Sequence, residues 1–253
     1  MATKVYGLLE LTPPRAAIVD IIFVHGLTGD RTETWTHPKT ENFWPQHYLP
    51  YRFQETRIFT HGYNADVHSK GTGVIRDFAH DLIHDVLGRR ARDGTLRRPL
   101  IFIAHSLGGL GVKQAILTCL EDDAPSEFTS ITACLLGIIF MGTPHQGAQV
   151  AIWGSLLVRP ASFFASFNSR ILQELRSDEA GLVELQEGFV DVRLRVFCFL
   201  EENVYFRGRK VTQQAGTTSC SHMLTPRRLS TMSPQSFRHA HTIENSYMPT
   251  TWI

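Results

Sequence analysis

The stretch Pro99–Gly109, PLIFIAHSLGG, decides how the rest of the chain is interpreted. A run of apolar residues ends at a polar pair, His105 and Ser106, and two glycines follow closely. A buried strand that turns sharply into a helix has this pattern, because small residues let the turn close without side-chain collisions. Such a turn exposes a serine hydroxyl at the carboxyl edge of a sheet, so Ser106 is predicted to be a nucleophile. The alternative is a Ser-Gly turn that serves only to reverse the chain.

Four other apolar runs accompany this one, and each ends at a turn signal. Runs of this length without polar alternation are typical of strands that are buried on both faces, as in a parallel sheet. They lie at residues 18–26, 57–63, 135–144 and 194–202.

Helical periodicity separates the predicted strands. One helix is predicted over residues 73–90, a second begins after Ser106 and ends near residues 121–125, and residues 150–190 indicate further helix. Alternation of strand and helix predicts an α/β fold with a doubly wound, mostly parallel sheet.

Composition divides the chain into two parts. Residues 1–206 are predicted to form one α/β domain. Residues 207–253 are basic and rich in Ser and Thr, and they lack a clear strand or helix pattern, so we expect a weakly ordered tail there.

Charge and hydropathy exclude several classes of protein. The net charge of +1 over 253 residues gives no indication of a nucleic-acid partner. No apolar stretch reaches the roughly 18 residues needed to span a bilayer, and the first residues lack the apolar core of a signal peptide. The four cysteines form no CxxC pair, which favours reduced thiols and an intracellular location: Cys119, Cys134, Cys198 and Cys220.

A nucleophilic serine needs N–H donors for the oxyanion that forms on the attacked carbonyl. One expected donor is the backbone N–H of Leu107, and the second is the N–H of Leu27 in the loop FVHGLTGD, where Gly26 permits a tight turn. The alternative for this loop is an ordinary turn at the end of a strand. His25 precedes the serine, whereas hydrolases of this fold have the order Ser, acid, base, so His25 is interpreted as a structural or donor-orienting residue.

The sequence resembles the serine esterase family of α/β-hydrolases, in the branch that includes serine-active-site-containing proteins, and is similar to the amino-terminal hydrolase domains of fungal receptor-like proteins. The stretches that carry the resemblance are DIIFVHGLTGDRTETWTH, FWPQHYLP, RIFTHGYNADV, RPLIFIAHSLGGLGVKQAIL, GIIFMGTPHQGA and VFCFLEEN, within about residues 5–205. The resemblance implies an α/β-hydrolase fold, a nucleophilic Ser106, and esterase- or lipase-like activity. It also implies a lipid or other ester as the substrate. Some relatives are located at mitochondria or the endoplasmic reticulum, and peripheral contact with a membrane is left open. We expect a helical cap drawn from residues 150–190 and no cofactor.

The remaining catalytic residues are less well determined. The strand that ends in LEE offers Glu201 and Glu202 as the acid, and the family pattern maps onto Glu201. The base must be a histidine after the acid, which leaves three candidates, and the family's Asp- or Asn-His loop is absent. His241 is preferred among His222, His239 and His241 because FRHAHTIENSYM is the nearest match. An incomplete triad would favour a second interpretation, in which the domain no longer turns over and serves as an interaction module.

Other patterns are weaker. His80 and His84 lie four residues apart on a predicted helix, but no HExxH pattern accompanies them, so no metal site is predicted. The sequence GGLG at residues 108–111 lacks the lysine and the spacing of a phosphate-binding loop. The apolar and aromatic residues within 150–170 suit a lid over a lipid-like acyl chain.

Overall fold

A computed structural model describes most of the chain up to residue 143 and several elements beyond it. The described ranges are 6–12, 16–26, 29–63, 73–143, 179–190, 192, 194–199, 203–206 and 209–212. Statements below refer to these residues.

The elements are numbered in chain order. The strands are β1 Gly7–Thr12, β2 Val19–Val24, β3 Thr36–His37, β4 Asn42–Phe43, β5 Thr56–Gly62, β6 Leu100–His105, β7 Leu135–Met141, β8 Val196–Phe199, β9 Asn203–Phe206 and β10 Arg209–Thr212. The helices are α1 Trp44–His47, α2 Leu49–Arg52, α3 Gly73–Arg92, α4 Gly108–Thr118, α5 Thr129–Cys134 and α6 Glu179–Val190, with a short 3₁₀ turn at Glu33–Trp35.

Six strands form the central sheet in the order β1-β5-β2-β6-β7-β8. All neighbouring pairs are parallel except β1 with β5, which is antiparallel. The prediction of a mostly parallel, doubly wound sheet is therefore confirmed, and each predicted apolar run contains one of its parallel strands. The antiparallel strand β1 was not predicted from the sequence.

The inner strands of the sheet, β5, β2, β6 and β7, are mostly buried on both faces, whereas Phe197 and Phe199 of β8 are exposed. One face packs beneath α3, α4 and α6, and its strand residues include Ile22, Phe59, Phe102, Ile138 and Phe140. The other face packs beneath the segment between β2 and β5, which contributes Trp35 and Phe43. The strand residues on this face include Ile21, Phe23, Ile58 and Ile103. Burial on both faces explains why these strands lack polar alternation.

Helices α3 and α4 approach each other closely because one residue at their contact has no side chain. A Cβ on Gly111 would overlap the ring of Phe78, whose own side chain is buried between the two helices. Helix α4 also carries Lys113, which is buried. Its ammonium lies over the rings of Phe140 and Phe189 and donates a hydrogen bond to the side-chain oxygen of Gln186 in α6.

The amino edge of the sheet holds a buried cluster of charges. The carboxylate of Asp20, at the start of β2, is fully buried and accepts hydrogen bonds from Arg57 at 2.9 and 3.1 Å and from Arg98 at 3.1 Å. Arg90 lies 3.4 Å from the same carboxylate. Arg57 also donates to Asp93 at 2.6 Å. Ion pairs therefore join the starts of β2, β5 and β6 to the end of α3.

The strand order extends in opposite directions from the central pair, β2 and β6. After β2 the chain forms β5 on one side of this pair, and after β6 it forms β7 and β8 on the other side. Strands β2 and β6 are neighbours, so the crevice at their carboxyl ends is the topological switch point where open α/β sheets bind ligands.

The chain ends depart from the sequence-based expectation in one respect. A two-stranded antiparallel hairpin, β9 with β10, includes residues 209–212, where no strand was expected, and it crosses the expected boundary after residue 206.

None of the helices in the described ranges has the length and apolar composition needed to cross a bilayer.

Candidate active site

Ser106 lies directly between β6 and α4, at the switch point. Its φ is 51°, in the left-handed region that non-glycine residues seldom adopt. Its backbone N–H donates to the carbonyl of Met141 at 2.8 Å, and its carbonyl accepts from Gly109 at 3.1 Å. The side chain is partly exposed. A conformation of this kind costs about 1–3 kcal/mol and persists only where the surroundings impose it, which is typical of functional sites.

Two glycines explain how the turn at Ser106 fits against the end of β2. A Cβ on Gly108 would overlap the carbonyl oxygen of His25 and lie 3.0 Å from that of Val24. A Cβ on Gly26 would lie 3.1 Å from the Cβ of Ser106. The two backbones therefore touch, and only residues without a side chain allow this approach.

Leu107 begins the helix that follows the serine. It is the N-cap residue of α4, and no side chain caps this end of the helix. The amino end of a helix presents backbone N–H groups and a partial positive charge, which favour an anion placed next to it. The position of Leu107 thus suits the role of oxyanion donor that the sequence predicts for it.

His25 is buried at the end of β2, behind the serine turn. Its Nδ1 donates to the carbonyl of Gly26 at 2.6 Å, and because that oxygen can only accept, the proton is on Nδ1. Burial lowers the pKa of His25 to about 4, so the ring is neutral near pH 7. The Gly26 carbonyl also accepts from the N–H of Gly29 at 2.9 Å, which closes a tight turn.

Tyr63, just after β5, was not singled out from the sequence. Its ring stacks on that of His25, with centroids 4.4 Å apart and planes 10° apart, and its hydroxyl donates to the His25 carbonyl at 3.3 Å. The Tyr63 ring is also nearly parallel to that of His61, with ring centroids 6.2 Å apart, and the Nε2 of His61 lies 2.9 Å from the carboxylate of Asp85. The motif HGY indicated only a strand end, because the partner of Tyr63 is distant in sequence.

Aromatic side chains flank the serine turn on the other face of the sheet. Trp35 lies edge-on to His105, with ring centroids 6.1 Å apart, and contacts Phe23 and Trp44 in the same edge-on manner. These rings belong to the core on this face of the sheet, where Trp35 is 2% exposed.

Only part of the predicted catalytic set can be placed. The structure brings Ser106 and Leu107 to the switch point, next to His25 and Gly26. The other predicted positions lie outside the described residues: Leu27, Glu201, Glu202, His222, His239, His241 and the lid at 150–170. The roles of all these residues stay predictions.

The described ranges contain no group of three His, Cys, Asp or Glu side chains that could hold a metal ion. His80 and His84 lie on the exposed side of α3 with ring centroids 6.5 Å apart.

Residues 20–159 match the family model described as "Putative serine esterase (DUF676)". The match covers more than half of the chain and includes β2, β5, β6, α4 and β7, the elements that form the switch point. The chain belongs to this family. The resemblance found in the sequence is thereby confirmed, as is the α/β-hydrolase fold that it implied.

Two curated relatives show how much of a longer protein this chain corresponds to. Protein SERAC1 of Mus musculus is 26% identical over 213 residues, covering 76% of this chain and 31% of the relative. Protein SERAC1 of Danio rerio is 29% identical over 205 residues, covering 72% of this chain and 30% of the relative. The chain therefore spans just under a third of the length of these relatives.

Among solved structures, the Bacillus licheniformis lipase BlEst2 is similar to this chain with 16% identity and a TM-score of 0.49. The similarity covers 76% of this chain and 70% of the lipase.

Proposed function

We propose that this chain is a serine esterase that cleaves carboxylic ester bonds with Ser106 as the nucleophile. The observation that carries the proposal is the positive φ of Ser106 between β6 and α4. A strained serine at the switch point, backed by close-packed glycines, is the arrangement that presents a hydroxyl to a substrate at this edge. Family membership supports the reaction class.

The proposed reaction has two steps. The Ser106 Oγ attacks the ester carbonyl while His241 accepts its proton, and the N–H groups of Leu107 and Leu27 donate to the oxyanion. The alcohol leaves with the proton from His241, and an acyl-enzyme remains. Water then attacks the acyl-enzyme while His241 accepts its proton, and His241 returns that proton to the Ser106 Oγ as the bond between the acyl carbon and Oγ breaks and the carboxylic acid is released. Glu201 is proposed to orient the histidine and stabilise its charged form.

The proposal extends to the class of ester. A substrate with an apolar acyl chain is proposed because the residues within 150–170 are rich in apolar and aromatic side chains. The lipid substrate, peripheral membrane contact and a site at mitochondria or the endoplasmic reticulum are proposed by family resemblance alone.

The nucleophile is tested by labelling with a fluorophosphonate probe, which reacts covalently with activated serines. We expect the wild type to be labelled and Ser106→Ala not to be, with Ser126→Ala as a control because Ser126 is exposed between α4 and α5. Hydrolysis of p-nitrophenyl esters of increasing chain length gives kcat/KM for the same three proteins and locates the preferred acyl length. A wild type that is neither labelled nor hydrolytic contradicts the proposal and favours the interaction-module alternative.

The acid and base are tested by matched substitutions. Glu201→Gln is expected to lower kcat substantially and Glu202→Gln to leave it unchanged, because the two residues are adjacent and only Glu201 fits the family pattern. Among His222→Ala, His239→Ala and His241→Ala, the last is expected to reduce kcat by about 10⁴ or more, the effect of removing a triad histidine. A large loss in another variant would reassign the base.

A further inference from the structure

The residue pair His25–Gly26, here called the His-Gly corner, lies against the backbone of the serine turn. Gly108 touches the carbonyl of His25, and Gly26 approaches the Cβ of Ser106. Any movement of the corner would change its distance from the serine. Whatever fixes the corner therefore sets the geometry in which Ser106 acts.

Tyr63 contacts the corner in two ways. Its ring lies flat on the His25 imidazole, and its hydroxyl donates to the His25 backbone carbonyl. The ring thus restrains the side chain that bonds to Gly26, while the hydroxyl restrains the carbonyl that packs on Gly108. One side chain acts on both contacts between β2 and the serine turn.

Tyr63 is itself held rigidly. It is 7% exposed and packs against Phe78 of α3 with centroids 4.2 Å apart. Phe78 in turn fills the space that Gly111 leaves on α4, the helix that begins at the serine turn. Burial raises the pKa of the Tyr63 hydroxyl, so the hydroxyl keeps its proton and can donate near neutral pH.

We infer that Tyr63 is a positioning residue, which holds the His-Gly corner at the distance from Ser106 that the esterase reaction needs. This inference rests on the proposed function. Tyr63 touches neither the substrate nor the reacting atoms. It acts through His25, whose Nδ1 proton and carbonyl connect it to Gly26 and Gly108.

Two substitutions separate the hydroxyl from the ring. Tyr63→Phe keeps the stack and removes the donor, and we expect kcat and the rate of fluorophosphonate labelling to fall about fivefold, as for one lost hydrogen bond. Tyr63→Leu removes the stack as well, and we expect a loss of about 100-fold, comparable to a misplaced oxyanion donor. KM should change little, because the substrate does not contact Tyr63. Tyr51→Phe is the matched control, since Tyr51 is 79% exposed.

A purely structural role predicts a different result. In that case the melting temperature falls, but the labelling rate per folded molecule equals that of the wild type. Such a result for both variants would overturn the inference. Tyr63→Phe retains the ring packing on Phe78 and His25, so it tests the inference even where Tyr63→Leu does not fold.

Amide hydrogen exchange gives a readout that does not depend on activity. We expect faster exchange in Tyr63→Leu for peptides containing His25–Gly26 and Ser106–Gly108, with the amino ends of the same strands unchanged. If the wild type is not labelled at all, the proposed function is wrong, and exchange still decides the role of Tyr63. Unchanged exchange at the corner would overturn the inference in either case.

Discussion

The two edges of the central sheet differ in how they are held together. At the amino edge, Asp20 is buried among arginines from three different segments. At the carboxyl edge, Ser106 has a strained backbone and its buried neighbour His25 is neutral near pH 7. Charged pairs thus concentrate at one edge, whereas close backbone contact and strain concentrate at the other.

The difference shows how this fold accommodates a strained residue. The described contacts against the Ser106 turn are made by glycines and a neutral imidazole, so this turn is held by close packing and not by ion pairs. The ion pairs at the amino edge join β2, β5 and β6 about one strand length from the serine. They can fix the strands without acting on the reaction. We therefore expect substitutions at the amino edge to change stability alone, and substitutions at the carboxyl edge to change both stability and activity.

The largest effect is expected at Asp20. Asp20→Asn leaves the buried guanidinium groups of Arg57 and Arg90 without their carboxylate, and breaking a buried pair costs about 3–5 kcal/mol. Urea unfolding measures the loss, and the labelling rate of Ser106 per folded molecule should equal that of the wild type. The control is Asp122→Asn, an exposed site after α4. A lower labelling rate in folded Asp20→Asn would contradict the separation of the two edges.

The next effect is a pH dependence that originates at His25. Its pKa is about 4 in the folded protein and near 6.5 in the unfolded chain, so the unfolded chain binds the extra proton first as the pH falls. The free energy of unfolding should decrease by about 3 kcal/mol from pH 6.5 to pH 4 because of this one group. Above about pH 7.5, where the histidine is neutral in both states, it adds no pH dependence.

The contribution of His25 is isolated by comparison with His25→Asn. Denaturant unfolding of both proteins between pH 4 and pH 7 should give curves that converge as the pH falls, since only the wild type carries the buried imidazole. Parallel curves would show that His25 is already protonated or accessible in the folded protein.

A smaller loss of stability is expected at Gly108. Gly108→Ala forces a methyl group into the carbonyl of His25, and overpacking of this kind costs about 1–3 kcal/mol. The labelling rate of Ser106 should fall as well, because the His-Gly corner must move. Gly88→Ala in α3 is the matched control: no atom lies within 4 Å of the added Cβ, and stability should rise by up to about 1 kcal/mol. Normal labelling in Gly108→Ala would show that the corner tolerates displacement.

The smallest effect is expected at Arg89, on the partly exposed side of the amino edge. Its pairs with Asp93 at 2.7 Å and with Glu10 are accessible to solvent, so Arg89→Gln should cost at most about 1 kcal/mol. The loss should shrink when unfolding is measured at 1 M salt, where exposed pairs are screened. A loss of several kcal/mol in the free energy of unfolding that does not depend on salt would show that the two pairs of Arg89 behave like the buried pairs around Asp20.

The sequence predicted the features that depend on neighbouring residues. The apolar runs predicted the parallel strands, and the pentad Ala104–Gly108 predicted the strand-turn-helix that holds Ser106. Strand β1 was missed because six residues with a central glutamate give too short a pattern to distinguish an edge strand.

Features that depend on distant residues were not accessible in the same way. The cluster around Asp20 joins residues 37 and 78 positions away, and Tyr63 meets His25 across 38 positions. No local pattern marks such contacts, because each residue alone is typical of a strand end. An acid and a base would likewise reach Ser106 only through tertiary structure, and Glu201 and His241 stay predictions.

The positive φ of Ser106 also limits how the site can change over evolutionary time. The amino acids that could replace serine as the proposed nucleophile are threonine and cysteine. A β-branched residue such as threonine is a genuine outlier at φ near 50°, whereas cysteine has the same branching as serine. A descendant of this protein that keeps the turn can therefore replace the serine at position 106 with cysteine, which has a thiol, but not with threonine, which has a secondary alcohol.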